Sequence, residues 1–248
     1  MADITSDRQS SDVDAFWFPG RWVGGGSLVL GPLLLLTGAL LRIQFDFFCP
    51  AQLAAAKTHP GLIAAAYGFF LTGIVCLWPA ILTLARSIGA TKPGWALWGG
   101  TLTMLGLFRR AFDYGANDFA LQLVNIQGVD AATRTVGEYY GAFEGVAHTL
   151  SLAALTGWIV LAVGAYLSGV LGIGRAIALS MMAGLMLGVL KGSTWFSALQ
   201  IAGLCVALVP LGISVLRNGP RPSAGLTGAV LLAIVTVTVI SYLLGQAG

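Results

Sequence analysis

The stretch WALWGGTLTMLGLFRRAFDYGAND, residues 95–118, decides how the chain is read. Its first fourteen residues carry no charge, and Arg109, Arg110, Asp113 and Asp118 then follow within ten positions. A helix rises about 1.5 Å per residue, so the run before Arg109 covers roughly 21 Å of a hydrocarbon core about 30 Å thick. Arg109, Arg110 and Asp113 are therefore expected at, or just inside, one margin of a membrane. Ionisable groups there are costly and by default face a protein interior or a wet cavity. The stretch marks a membrane helix and a candidate site together.

Outward from it, the rest of the chain asks for the same solvent. Of 248 residues 57% are hydrophobic and only 9% charged, with a mean hydropathy of +0.85. Soluble domains carry about 25% charged residues, so the expected class is a polytopic membrane protein. Seven apolar segments are long enough to span, at about 23–41, 61–85, 94–115, 143–167, 174–190, 196–216 and 224–244. The expected fold is all-α, a bundle of seven transmembrane helices. Residues 1–22 read as a polar tail ending in the interfacial anchor FWFPGRW, and residues 23–248 as one membrane domain. The acidic tail does not read as a cleavable signal.

The formal charge of +3 is spread over loops without a basic run, which argues against a nucleic-acid partner. Three cysteines form no C-x-x-C pair and read as small apolar residues. Ten arginines against three lysines, in an Ala- and Gly-rich chain, suggest a bacterial source and hence its cytoplasmic membrane. With the N-terminus inside, seven basic residues fall on the inner side and six on the outer, giving an N-in, C-out expectation. Beyond the tail, all six acids fall on the same outer side.

Two local patterns carry chemistry. Arg42-Ile-Gln-Phe-Asp46-Phe and Arg109-Arg-Ala-Phe112-Asp113-Tyr114 both read R-x-x-F-D-aromatic. Residues four apart share a helix face, so Arg42–Asp46 and Arg109–Asp113 are each expected to pair. Such pairs also occur as ordinary interfacial span endings. The second pattern is Glu144 and His148, four apart on a face with Tyr140. A carboxylate beside an imidazole suits proton transfer, although Glu is also favourable in a solvated first turn. Asp113, Glu144 and His148 are thus the candidate catalytic groups. Arg42, Asp46, Arg109, Arg110, Phe112, Tyr114, Asp118 and Tyr140 are the candidate substrate-lining groups. Asp130 and Arg134 read as a solvated pair.

No phosphate-binding loop, H-E-x-x-H, nucleophile elbow or dinucleotide fingerprint occurs, and no metal-ligand spacing does either. The last apolar segment lacks the lysine of the retinal-binding proteins. No cofactor and no metal are expected. In length and span number the chain resembles the seven-span integral membrane terpene cyclases, and the resemblance implies a membrane pocket with acidic residues acting on an isoprenoid. Their N-x-x-W-E signature is absent, so the resemblance carries over no individual residue. A desolvated carboxyl among aromatic faces fits acid-initiated cyclisation or isomerisation of a lipophilic small molecule. The alternatives are a proton-coupled transporter or resistance protein, or a partner subunit of a membrane complex. Membrane lipids are the other expected partner.

Overall fold

The computed structural model describes residues 17–142 and 145–218, with isolated positions 225, 228, 232 and 236; the side chains of 140–142 and 145–148 are excepted. The chain divides into two compact units, Met1–Leu216 and Arg217–Gly248. The described residues are all-α, without a strand. In order they form α1 (Arg21–Arg42), α2 (Cys49–Thr58), α3 (Pro60–Gly89), α4 (Pro93–Gln127), α5 (Val129–Ala142), α6 (Gly145–Leu167), α7 (Ile173–Ser180) and α8 (Trp195–Arg217). The 3₁₀ turn Met181–Gly184 extends α7.

Four helices are long and apolar enough to cross a membrane: α1, α3, the Thr149–Leu167 part of α6, and α8. The remaining expected crossings differ from one another. α4 is one helix of 35 residues, about 52 Å at 1.5 Å per residue, and does not end near residue 115. It runs on until Gly128, whose φ of 82° takes the backbone out of the helix. The fifth apolar segment, 174–190, is not a continuous helix. After α7 and its 3₁₀ turn, residues 185–194 follow an irregular path to α8. The seventh segment, 224–244, lies almost wholly outside the described residues.

Proline placement agrees with the helix starts. Pro60 and Pro93 open α3 and α4, where the missing N–H has no intrahelical acceptor to lose. Pro79 lies inside α3 and Pro210 inside α8. Two helices occupy stretches expected to be loops: α2, and α5 with Asp130 and Arg134 on its exposed face.

Small residues bring the helices together. α1 packs along α3, α4 along α6, and α3 against α4. An ideal Cβ built on Gly106 would stand 2.5 Å from Cα of Ala154, so the α4–α6 contact is backbone on backbone. One core, around Leu28, Leu35, Ile74, Leu77, Leu107, Trp158, Leu161 and Leu204, fills the uncharged part of the bundle. A second, around Leu53, Ile63, Tyr67, Ala120, Val136 and Leu190, gathers α2, α5 and the irregular segment around the charged half of α4.

Candidate functional site

The site grows from one stripe of α4. Arg110, Asp113 and Asn117 stand at i, i+3 and i+7, the spacing that lines one helical face, and all three are buried, at 6%, 5% and 9% exposure. What they meet is the backbone of the irregular segment. Arg110 Nη2 donates to the Leu185 carbonyl at 2.7 Å and Nη1 to that of Met186 at 3.2 Å. Gly188 N–H donates to Asp113 Oδ2 at 3.2 Å, and Leu190 N–H to Asn117 Oδ1. Arg42, 4% exposed at the end of α1, donates from Nη1 to the Lys191 carbonyl at 3.4 Å. Gly192 N–H donates to the Phe47 carbonyl at 2.8 Å.

Irregular backbone away from water needs a partner for each N–H and C=O that helix formation would have satisfied. Here side chains of α1 and α4 supply five of them. The path they hold is unusual: Gly188 has φ 133°, and Leu190, fully buried, has φ 51°, a region a branched side chain seldom adopts. Such a conformation persists where its surroundings over-determine it, and that is commonest at functional sites.

Of the two expected ion pairs, one forms. Arg109 Nη1 lies 2.9 Å from Asp113 Oδ1, and Arg109 Nε reaches Ser151 Oγ at 3.3 Å. Asp113 thus has a guanidinium against Oδ1 and a backbone N–H on Oδ2, contacts that favour a carboxylate. The Arg42–Asp46 pair is not made. Arg42 instead turns inward, its Cζ 4.4 Å from the Tyr67 ring centroid and 4.8 Å from that of Phe70, while Asp46 is exposed. Two rings and a carbonyl in the buried interior outweigh a solvated carboxylate one turn away.

A chamber of about 50 Å³ with mixed walls, Phe70, Leu185 and Ile201 among the apolar ones, lies under the irregular segment. Arg42, Arg110, Asp113, Tyr114, Asn117, Lys191, Ser193 and Ser197 line it. Beside it a groove of about 230 Å³ runs between α2, α3 and α4, its walls shared between apolar Ile63, Ala64 and Leu121 and polar Tyr67, Tyr114, Asp118, Gln122 and Asn125. Tyr114 is a wall of both.

The candidates named from sequence thus separate. Arg42, Arg110, Asp113 and Tyr114 meet at the chamber, and Asp118 faces the groove. Arg109 stands behind Asp113, with Cζ 5.7 Å from the ring of Phe112, which is itself 52% exposed and lines neither space. Glu144 lies outside the described residues, as do the side chains of Tyr140 and His148. Among the described residues, no three His, Cys, Asp or Glu side chains are grouped to hold a metal.

Sequence reasoning missed Asn117, Gln52, Lys191, Ser193 and Ser197. Gln52, fully buried on α2, donates from Nε2 to the Asp46 carbonyl at 2.6 Å and pins the loop that Gly192 touches. For Asn117 a signal existed, since it continues the Arg110–Asp113 face by one further turn. Outside the crossing helices, burial pushes the Cys49 thiol above its ordinary pKa, with Lys191 pulling partly back.

Compared with known proteins, the chain matches no protein-family model, no curated protein and no solved structure.

Proposed function

We propose that the chain is a multi-pass protein of the bacterial cytoplasmic membrane that carries a small polar solute by way of the chamber. In this reading all seven apolar segments lie at membrane depth, with the N-terminus inside. The observation that carries it is the break in the fifth segment, where residues 185–194 leave helical form and are held by Arg42, Arg110, Asp113 and Asn117. Membrane carriers use discontinuous segments because unwound backbone and helix ends offer contacts that a continuous helix keeps within itself. Buried ionisable residues at that depth mark solute and proton routes. Reconstitution in liposomes tests the reading: with a pH gradient imposed, osmotic swelling is followed across small cations, anions and neutral solutes. Swelling faster than in protein-free vesicles for one class, and lost in Gly188→Val, supports a carrier. Swelling at the protein-free rate for every class removes it.

A second reading is an enzyme for acid-initiated cyclisation or isomerisation of an isoprenoid. It draws on the 230 Å³ groove, where a carboxyl, Asp118, shares the walls with the rings of Tyr67 and Tyr114. The chamber alone, at about 50 Å³, is far below the ~300 Å³ of ordinary ligand pockets, so the groove would have to hold the chain. Polyprenyl substrates in vesicles, with products read by mass spectrometry, test it. A rearranged product that disappears in Asp118→Asn is the expected sign.

A further inference from the structure

We propose that the ring of Tyr114 is the gate between the groove and the chamber, so that a solute reaching Arg110 and Asp113 enters by way of the groove. As a solute route it rests on the carrier reading; as an access path it stands on the following geometry.

Position comes first. Among the described residues, Tyr114 alone lines both spaces. On α4 the chamber also takes Arg110, Asp113 and Asn117, while the groove takes Asp118, Leu121, Gln122 and Asn125. At about 3.6 residues per turn these are neighbouring stripes of one helix, the groove stripe displaced toward the Gln127 end. Their surroundings differ. Arg110, Asp113 and Asn117 are buried, whereas Asp118, Gln122 and Asn125 are exposed. The groove is therefore an open mouth beside a buried chamber, and Tyr114 stands where the two meet.

Second, the side chains around Tyr114 are tied down. Arg110, Asp113 and Asn117 are bonded to the irregular segment, and Arg42 lies over the Tyr67 ring with its Cζ 4.4 Å from the centroid. Tyr114, half-buried, has no hydrogen bond, ion pair or ring contact among the described residues, and packs only against the second core. One unfastened side chain in a fastened frame is the part that can move.

Third, the movement is discrete and local. An aromatic side chain on a helix has two favoured χ1 positions, at about 180° and about −60°. Passing between them swings the ring without moving α4 and gives up apolar packing alone. Opening the chamber through the backbone would instead break the contacts of Arg110, Asp113 and Asn117. Met186, which is exposed, also borders the chamber and offers the competing entrance.

The test uses the full chain in lipid nanodiscs with Ser193→Cys as reporter, at a buried position of the chamber lining. A small water-soluble methanethiosulfonate labels it, and mass spectrometry with fragmentation reads residue 193 apart from the native cysteines. Tyr114→Ala should raise the labelling rate about tenfold, as for a steric barrier lowered by about 1.4 kcal/mol. Tyr114→Phe, which keeps the ring, should leave the rate unchanged. Ala64→Trp, at an exposed position of the groove wall, should slow labelling on its own and cancel the gain of Tyr114→Ala. Ser197→Cys replaces the reporter if Ser193→Cys does not fold, and Ala64→Trp alone decides if Tyr114→Ala does not. Labelling indifferent to Tyr114→Ala or to Ala64→Trp overturns the proposal. So does a reporter that stays unlabelled in Tyr114→Ala, and so does labelling slowed by Met186→Trp but not by Ala64→Trp. Gated labelling without vesicle flux of any solute retains the gate and removes the carrier. Flux with labelling indifferent to Tyr114 does the reverse.

Discussion

Asp113 and Gly188 stand 75 positions apart, and the carboxylate of one accepts the backbone N–H of the other at 3.2 Å. This contact ties the charged half of α4 to the break in the fifth apolar segment. It makes the side chain that looked most like a catalytic acid a fastener as well.

Asp113 variants should therefore act on stability before anything else. Asp113→Ala loses the Arg109 pair and orphans Gly188 N–H, whereas Asp113→Asn keeps an acceptor for Gly188. Thermal unfolding in detergent should rank wild type above Asn and Asn above Ala. In a double-mutant cycle with Arg109→Gln, the coupling should be about 2 kcal/mol. Additive losses would mean that the 2.9 Å pair contributes nothing.

Asn117→Ala leaves the Leu190 N–H unpaired in a buried place, at a cost of about 1–3 kcal/mol. Hydrogen exchange read by mass spectrometry should show the loss of protection concentrated in peptides covering residues 185–192. Asn117→Asp, which retains the acceptor oxygen, should keep most of it. Uniform deprotection would show that the contact does not hold this segment locally.

Two glycines of the same helix should part company. At Gly106 an added methyl meets Ala154 at backbone distance, so Gly106→Ala should cost about 1–3 kcal/mol through overpacking. At Gly115 nothing lies within 4 Å of the added carbon, and Gly115→Ala should be neutral or raise stability by up to about 1 kcal/mol. Equal thermal midpoints for the two variants would contradict the α4–α6 packing.

Cys49 gives a pH reading. Its thiol pKa is raised by burial and partly restored by Lys191, so the thiolate is scarcer at a given pH than in an unperturbed thiol. Iodoacetamide labelling of the Cys49 peptide should rise with a midpoint above the ordinary thiol value. Removing the opposing charge with Lys191→Gln should move that midpoint further up and slow labelling at pH 8. Faster labelling in that variant would reverse the sign argued here.

The long apolar runs were legible because hydropathy reads length and apolarity directly, and α1, α3, α6 and α8 came out of it as helices able to cross a membrane. Hydropathy says nothing of whether a buried run stays helical. Residues 174–190 contain no proline and only Arg175 as a charge, so nothing local marks the break except Gly184 and Gly188. Its cause is on α4, some 70 residues upstream, where partners for the unwound backbone are waiting. The Arg109–Asp113 pair was readable from spacing alone, whereas the same spacing at Arg42 and Asp46 misled. A helical wheel ranks neighbours on one helix and does not see Tyr67 and Phe70 on another. Asn117 was missed for a different reason: a neutral amide raises no alarm in a search for charge.

The grip on residues 185, 186 and 191 falls on carbonyl oxygens, atoms that every amino acid possesses. Gly188 and Leu190 are constrained by their backbone angles, Leu185 is packed in the core and Lys191 lies over the Phe47 ring, but the Met186 side chain is exposed and only its carbonyl is held. Met186 can therefore be exchanged without letting the segment go, and it is part of the chamber's lining. Such a scaffold is indifferent to the identity of part of its own lining, so its ligand preference can drift by single substitutions while the frame around it stays intact.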